Sequence, residues 1–218
     1  MLPEQKSALL FLAGMFFLVL IWSAVHPHDY FTWGLEVFPA LIGLCVLAFT
    51  YRRFPFTTFV YTLITIHACI LFVGGHYTYA EVPAFNWIRD HFHLMRNDYD
   101  RVGHFAQGFV PALVAREVLL RRKIVLRRGW LFYIVLSICM AISAAYELLE
   151  WRVSVATGAA GDSFLGTQGD PWDTQEDMAT CGVGATIALL FFSRWHDRLI
   201  ARLEEGLSRR KAAAGTEE

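Results

Sequence analysis

Six long apolar segments constrain this chain more than any other feature of its sequence. A helix needs about 20 mainly apolar residues to cross roughly 30 Å of hydrocarbon. The segments at or near that length are residues 8–25, 34–51, 56–75, 102–120, 129–149 and 177–192. The chain is 56% hydrophobic and 18% charged, whereas soluble domains are about 45–50% apolar and about 25% charged. The sequence predicts an all-α polytopic membrane protein, with a bundle of six transmembrane helices in residues 1–194 and a C-terminal tail in residues 195–218, ending in the disordered sequence RRKAAAGTEE.

The basic residues predict how these helices are oriented. Lys and Arg accumulate in the cytoplasmic loops of membrane proteins. If the N-terminus is cytoplasmic, all but four of the 19 basic residues fall on the cytoplasmic side, and the four are Arg89, Arg96, Arg101 and Arg152. Both termini are therefore predicted to be cytoplasmic. The formal net charge of -1 lacks the basic excess of a nucleic-acid-binding domain, so no nucleic-acid partner is expected.

Three connecting segments carry further predictions. In residues 82–100 a helical spacing relates the apolar residues Phe85, Ile88, Phe92 and Met95. This spacing predicts a short amphipathic helix on the outer membrane interface. Residues 151–176 are rich in Gly and Asp without periodicity, which is typical of a lid or binding loop. Residues 117–130, EVLLRRKIVLRRGW, are predicted to be a cytoplasmic loop that touches anionic lipid head groups.

Ionisable side chains recur at one predicted depth, just below the outer surface. Within transmembrane segments such side chains are costly and are usually functional. Residues three or four apart share a helix face, and the pairs with this spacing are Asp100 with His104, Glu147 with Glu150, and Asp173 with Asp177. These six are predicted to be the catalytic residues. The residues predicted to bind the substrate are Arg101, Arg152, Glu36 and His76.

Isolated helix caps are the competing interpretation of these charges. A carboxylate near a helix N-terminus, such as Asp100, is stabilised by the helix dipole. That explanation fails for Glu147 and Glu150, because they close their predicted helix and the dipole opposes them there. Arg101 and Arg152 either balance the acidic cluster or hold an anionic group such as a phosphate, which suits a guanidinium.

Clustered carboxylates repel one another unless a cation neutralises them or some of them are protonated. One alternative is therefore a divalent cation held by Asp100, His104, Glu147, Asp173 and Asp177. Oxygen ligands with an imidazole suit Mg, Mn, Ca or a catalytic Zn. The other alternative is a metal-free site in which protonated carboxyl groups perform acid–base chemistry.

Four sequence blocks are similar to those of a known family. They are WSAVHPHDYFTWGLEVFP, NDYDRVGHFAQGF, YELLEW and GDPWDTQEDM, and they resemble the bacterial inner-membrane YjdF group within the wider VanZ-like superfamily. The VanZ-like pattern D-K-x-x-H-F resembles residues 100–105, with Arg101 in place of Lys. Glu150 stands where that pattern has Gln, and Cys181 where it has Asn. The resemblance implies a multi-pass protein of the bacterial inner membrane but no established reaction.

Two functions fit these observations. The first is a membrane-embedded enzyme that acts from the periplasmic side on a lipid or lipid-linked envelope molecule, by metal-assisted or acid–base hydrolysis or transfer. The second is a non-catalytic protein that binds or transports an ion, a proton or a lipid head group. Transport needs polar residues near the midplane, where the predicted spans offer little besides Thr65, His67, Gln107 and Ser143. This scarcity favours a shallow site over a transport path, and the enzyme is the preferred function. His67 and His196, at mid-span or towards the cytoplasm, are excluded from the predicted site.

Overall fold

Long α-helices dominate the computed structural model, which describes residues 3–158 and 164–214. In those ranges no β-strand is present, so the predicted all-α class is confirmed. The helices are α1 (Pro3–Ser23), α2 (Tyr30–Thr50), α3 (Thr58–Tyr77), α4 (Pro83–Phe92), α5 (Tyr99–Arg121), α6 (Arg128–Thr157), α7 (Asp173–Ile187) and α8 (Ser193–Ala214). A 3-10 turn at Tyr79–Glu81 follows α3, and a π-helical turn at Ala188–Phe192 joins α7 to α8.

Among the described residues, five helical segments are long and apolar enough to cross a membrane. They are Gln5–Ser23, Tyr30–Thr50, Thr58–Tyr77, Arg128–Thr157 and Asp173–Arg210. Five of the six predicted spans are therefore matched. The remaining span corresponds to α5, which is as long as the others but carries more charged residues.

The highly charged helix α5 lies at the centre of the fold. It packs against α3, α6 and α7, and α1 and α2 pack against α3. Two glycines bring α5 and α7 together: a Cβ on Gly108 would overlap the carbonyl oxygen of Cys181, and one on Gly184 would overlap that of Phe105. Small residues allow this close backbone approach between membrane helices. The glycines thus set the spacing of the two helices that carry Asp100, His104, Asp173 and Asp177.

Side-chain caps fix where α2 and α3 begin. The Asp29 carboxylate accepts a hydrogen bond from the backbone N–H of Thr32 at 2.6 Å, and the Thr57 hydroxyl accepts one from the N–H of Val60 at 3.4 Å. Such caps satisfy N–H groups that have no partner in the first turn. The bond from Thr32 also lowers the pKa of Asp29 below its ordinary value.

Two predicted boundaries were wrong. Residues 151–157, predicted to be irregular, continue α6, because Trp151–Thr157 contains neither Gly nor Pro and the helix ends only at Gly158, where φ is +59°. Residues 159–163 of that predicted loop lie outside the described part of the chain. Residues 195–214 of the predicted tail lie in α8, whose buried Ile200 and Leu203 give it an apolar side. The stretch from Arg209 to Ala214, predicted to be disordered, is helical. Residues 215–218 lie outside the described ranges.

Candidate functional site

His104 stands at the centre of a cluster that joins α5, α6 and α7. Its Nε2 atom lies 3.4 Å from Asp100 Oδ1 and 3.7 Å from Asp177 Oδ1. Its Nδ1 atom lies 3.6 Å from Glu147 Oε1 and 3.3 Å from Gln107 Oε1. The side chain of His104 is 5% exposed, as is that of Glu147, and that of Asp177 is 1% exposed. The imidazole is therefore surrounded by three carboxylates from three helices in a buried setting.

Three of these side chains are placed as the ligands of a metal ion would be. Asp100, His104 and Asp177 each offer one ligand atom, and the three atoms lie within 4.8 Å of one another. Two carboxylate oxygens beside them, Asp177 Oδ2 and Glu147 Oε1, are buried and accept no hydrogen bond from the described residues. A buried oxygen without a hydrogen bond is costly, so both oxygens are available to a proton or a cation.

Two arginines hold the outer acidic side chains. Arg96 and Arg101 both pair with Asp173, with Arg101 Nη2 at 3.1 Å from Asp173 Oδ1. Arg101 also contacts Asp177 Oδ1 and pairs with Glu176 at 2.9 Å. The guanidinium of Arg101 is thus saturated with carboxylates. Of the two predicted roles for Arg101, the contacts favour balancing the acidic cluster over binding a phosphate.

A cavity of about 220 Å³ adjoins His104; we call it the acidic cavity. Its wall is formed by Glu36, Pro39, His67, Leu71, Tyr79, Asp100, Gly103, His104, Gln107, Pro111, Ile142, Tyr146 and Glu150. The Tyr146 hydroxyl donates to Glu36 Oε2 at 3.4 Å. The ring of Tyr79 fits beside α5 only because Gly103 has no side chain, since a Cβ there would lie 2.9 Å from the ring.

The predicted site residues divide into two groups. The structure brings together the six predicted catalytic residues and Arg101, and it places Glu36 in the cavity wall. His76 and Arg152 lie elsewhere. The Nδ1 atom of His76 is 3.1 Å from the carbonyl oxygen of Ser23 and its ring packs on Trp22, because it faces α1. Arg152 is exposed, since it follows Glu150 by two residues and therefore faces away from it.

Sequence reasoning missed several members of the site. Tyr146 precedes Glu150 by four residues on α6, so helical spacing was an available signal for it, whereas Arg96 lies before α5 begins. Tyr79 carried no such signal, because it lies in a 3-10 turn whose position depends on packing. His67, which was excluded from the predicted site, lines the acidic cavity, because α3 turns that face towards α5.

A second buried polar cluster lies at the opposite end of α5. Glu117 accepts hydrogen bonds from the N–H and hydroxyl of Thr57, at 2.9 and 2.8 Å, and from Arg121 at 2.8 Å. His196 Nε2 lies 2.9 Å from the same carboxylate, and Glu117 and His196 are fully buried. Arg116 pairs with Asp197 of α8. Glu117 and Arg121 fall within the predicted cytoplasmic loop, but both belong to α5 and tie α3, α5 and α8 together.

Comparison with known proteins identifies the family. A family described as "Predicted membrane protein (DUF2238)" matches residues 8–198. The chain belongs to this family. It is 48% identical over 185 residues to inner membrane protein YjdF of Escherichia coli (strain K12), an alignment that covers 85% of this chain and 88% of the relative. The predicted resemblance to the YjdF group is thus confirmed, and the wider VanZ-like link stays a prediction.

The family match agrees with the apolar helices of the chain. YjdF is named as an inner membrane protein, and the five long apolar helices here support a multi-pass protein of that membrane. No solved structure matches the chain. The family description assigns no reaction, so the chemistry of the His104 cluster has to be argued from its own geometry.

Proposed function

We propose that the protein is a membrane-embedded enzyme that hydrolyses or transfers a group on a lipid or lipid-linked envelope molecule. The observation that carries this proposal is the position of His104 between Asp100 and Asp177, beside two buried carboxylate oxygens that accept no hydrogen bond from the described residues. In this account the cluster holds a divalent cation, with Asp100, His104 and Asp177 as ligands. Asp177 would use Oδ2, because Arg101 occupies Oδ1.

The membrane topology that accompanies this proposal has six spans with both termini in the cytoplasm. Helix α5 supplies the sixth span, since its 23 residues reach about 34 Å at 1.5 Å per residue. Its charged residues are compatible with that position because Asp100, Arg116 and Glu117 are buried against other helices. Lys and Arg are then concentrated on the cytoplasmic side, and the His104 cluster opens towards the periplasm. Helix α4, with no buried residue, lies at the outer interface.

The proposed chemistry needs a base, an activated water and an acid. A bound divalent cation activates water near neutral pH and stabilises charge on an oxygen of the substrate. In hydrolysis, the water loses a proton to a carboxylate of the cluster and its oxygen bonds to the electrophilic centre. The bond to the leaving oxygen then breaks, and that oxygen takes a proton from a carboxyl group. Glu147 suits this last role, because its Oε1 has no hydrogen-bond partner in the described structure.

The experiment is a turnover assay that does not require the substrate to be known. The purified protein is reconstituted in vesicles made from a total bacterial membrane extract, in water enriched in ¹⁸O and with Mn²⁺ or Zn²⁺. Hydrolysis places ¹⁸O in a product, and transfer produces a lipid species of changed mass without the isotope. Mass spectrometry of the extracted lipids detects both.

Variants with one altered side chain separate the site from the rest of the protein. We expect turnover from the wild type and at least a hundredfold less from Asp177→Asn and from His104→Ala. The control Asp90→Asn removes an outer carboxylate whose side chain is 68% exposed and should leave turnover unchanged. If folded wild-type protein changes no lipid species, the enzyme is excluded and the non-catalytic binding or transport function takes its place.

A further inference from the structure

We propose that the bound molecule is an amphiphile with a cationic head group, whose head lies in the acidic cavity and whose hydrocarbon chain lies in an adjoining apolar groove. This inference rests on the proposed function, because it names the substrate class of the same site. Two independent features carry it: the charges in the wall of the acidic cavity, and a second cavity that continues from that wall.

The charges of the acidic cavity select a cation. Its wall contains the carboxylates of Glu36, Asp100 and Glu150 and contains no Lys or Arg. Glu150 is 6% exposed and lines the cavity. Within the described ranges its carboxylate makes no hydrogen bond or ion pair. The nearby guanidinium of Arg101 is turned to Asp173 and Asp177 instead.

A metal ion bound by Asp100, His104 and Asp177 would not remove the preference of the acidic cavity for a cationic head group. The proposed cation would neutralise Asp100 together with Asp177, both of which contact His104. Glu36 and Glu150 stand outside that ligand group. They therefore remain available to an ammonium group of the ligand, and the ring faces of Tyr79 and Tyr146 in the same wall are suited to a cation as well.

The apolar groove is a second cavity, of about 720 Å³, between α1, α2, α3 and α5. Its wall is almost entirely apolar, with Leu12, Phe16, Gly43, Leu47, Ile64 and Val114 among its residues. On α2 it extends from Pro39 to Thr50, a rise of roughly 16 Å at 1.5 Å per residue. Helices α1, α2 and α3, which form three sides of the groove, are apolar enough to cross a membrane. A hydrocarbon chain is therefore a suitable occupant of the groove.

The two cavities share part of their walls. Pro39, His67, Leu71 and Pro111 line both of them. The apolar groove therefore adjoins the acidic cavity. It extends to Arg122, which follows the last residue of α5. One molecule with a compact charged head and a long chain fills both spaces, with the scissile group held next to His104.

The test for the head group compares two probes that have the same chain and opposite charge. Saturable binding of labelled hexadecylamine and hexadecanoate is measured on the protein in phosphatidylcholine nanodiscs, with empty nanodiscs subtracted. We expect the amine to bind at least tenfold more tightly than the carboxylate. Glu150→Gln and Glu36→Gln should each weaken amine binding about fivefold or more, and the exposed control Glu81→Gln should not. Equal affinities for the two probes would overturn the inference.

The test for the groove uses two glycines. Gly43 lines the groove and Gly14 does not, and a Cβ on either would meet no atom within 4 Å. Gly43→Phe should reduce hexadecylamine binding at least tenfold and leave the binding of octylamine, which has a short chain, unchanged. Gly14→Phe is the matched control and should alter neither. Hexadecylamine that binds normally to Gly43→Phe would show that the chain lies elsewhere.

The outcomes are distinguishable from those of the turnover assay. If Asp177→Asn loses turnover but keeps charge-selective amine binding, both the enzyme and its substrate class are supported. If the wild type shows no turnover but binds the amine selectively, the enzyme fails and the amphiphile site stands. If turnover occurs and neither probe binds preferentially, the enzyme stands and this inference fails.

Discussion

The imidazole of His104 on α5 faces the carboxylate of Glu147 on α6, with Nδ1 3.6 Å from Oε1. The two residues are 43 positions apart in the chain, and each belongs to a pair at helical spacing that the sequence predicted to face the bundle. Isolated surface caps would point outwards, whereas both of these side chains are 5% exposed. The geometry therefore supports one shared centre rather than separate caps.

The first prediction concerns the second buried cluster, which involves Glu117. Glu117→Ala would leave the buried Arg121 without its closest carboxylate, and breaking a buried pair in this way costs about 3–5 kcal/mol. We expect a large loss of thermal stability in detergent, measured by the unfolding temperature. Glu204 also pairs with Arg121, at 3.7 Å, but its side chain is 53% exposed. Glu204→Ala should cost about 0–1 kcal/mol, and equal losses from the two variants would contradict the role given to Glu117.

The second prediction concerns the close packing of α5 and α7. An added Cβ at Gly108 or Gly184 would overlap a backbone carbonyl of the partner helix, and a backbone cannot rotate out of the way as a side chain does. Gly108→Ala and Gly184→Ala should each lower the free energy of unfolding by about 1–3 kcal/mol. Gly34→Ala is the control, because a Cβ there meets no atom within 4 Å and Ala favours a helix. Unchanged stability in both variants would show that the helices are not this close.

The third prediction is a pH dependence at the start of α2. Because the Thr32 N–H lowers the pKa of Asp29 in the folded state, the cap stabilises the protein above the unfolded pKa of about 3.9. This stabilisation is lost as the pH falls through the folded pKa. At pH 7, Asp29→Ala should cost about 0.5–2 kcal/mol, and the cost should shrink below about pH 4. Asp29→Asn keeps an uncharged cap, so its stability relative to Asp29→Ala should not change with pH; a pH-independent cost for Asp29→Ala would refute the role of the charge.

Much of the fold follows from local patterns, and the exceptions have physical causes. Apolar length predicted the long helices, and spacings of three or four placed His104 and Glu150 on inward faces. The predicted depth in the membrane was not enough to place His76, because a residue at that level on α3 can face α1 instead of the cluster. The partners of Arg101 depend on how α7 docks against α5, and that packing is decided by glycines whose role appears only when both helices are in place.

The central claim is that the His104 cluster holds a divalent cation, and metal binding tests it most directly. Equilibrium dialysis of purified protein against Mn²⁺ and against Zn²⁺, followed by elemental analysis, gives the number of ions per chain and their affinity. We expect about one ion per wild-type chain, and affinity at least tenfold lower in Asp177→Asn and in His104→Ala. Asp90→Asn should bind as the wild type does. Wild-type protein that binds neither metal more tightly than the His104→Ala variant would contradict the claim.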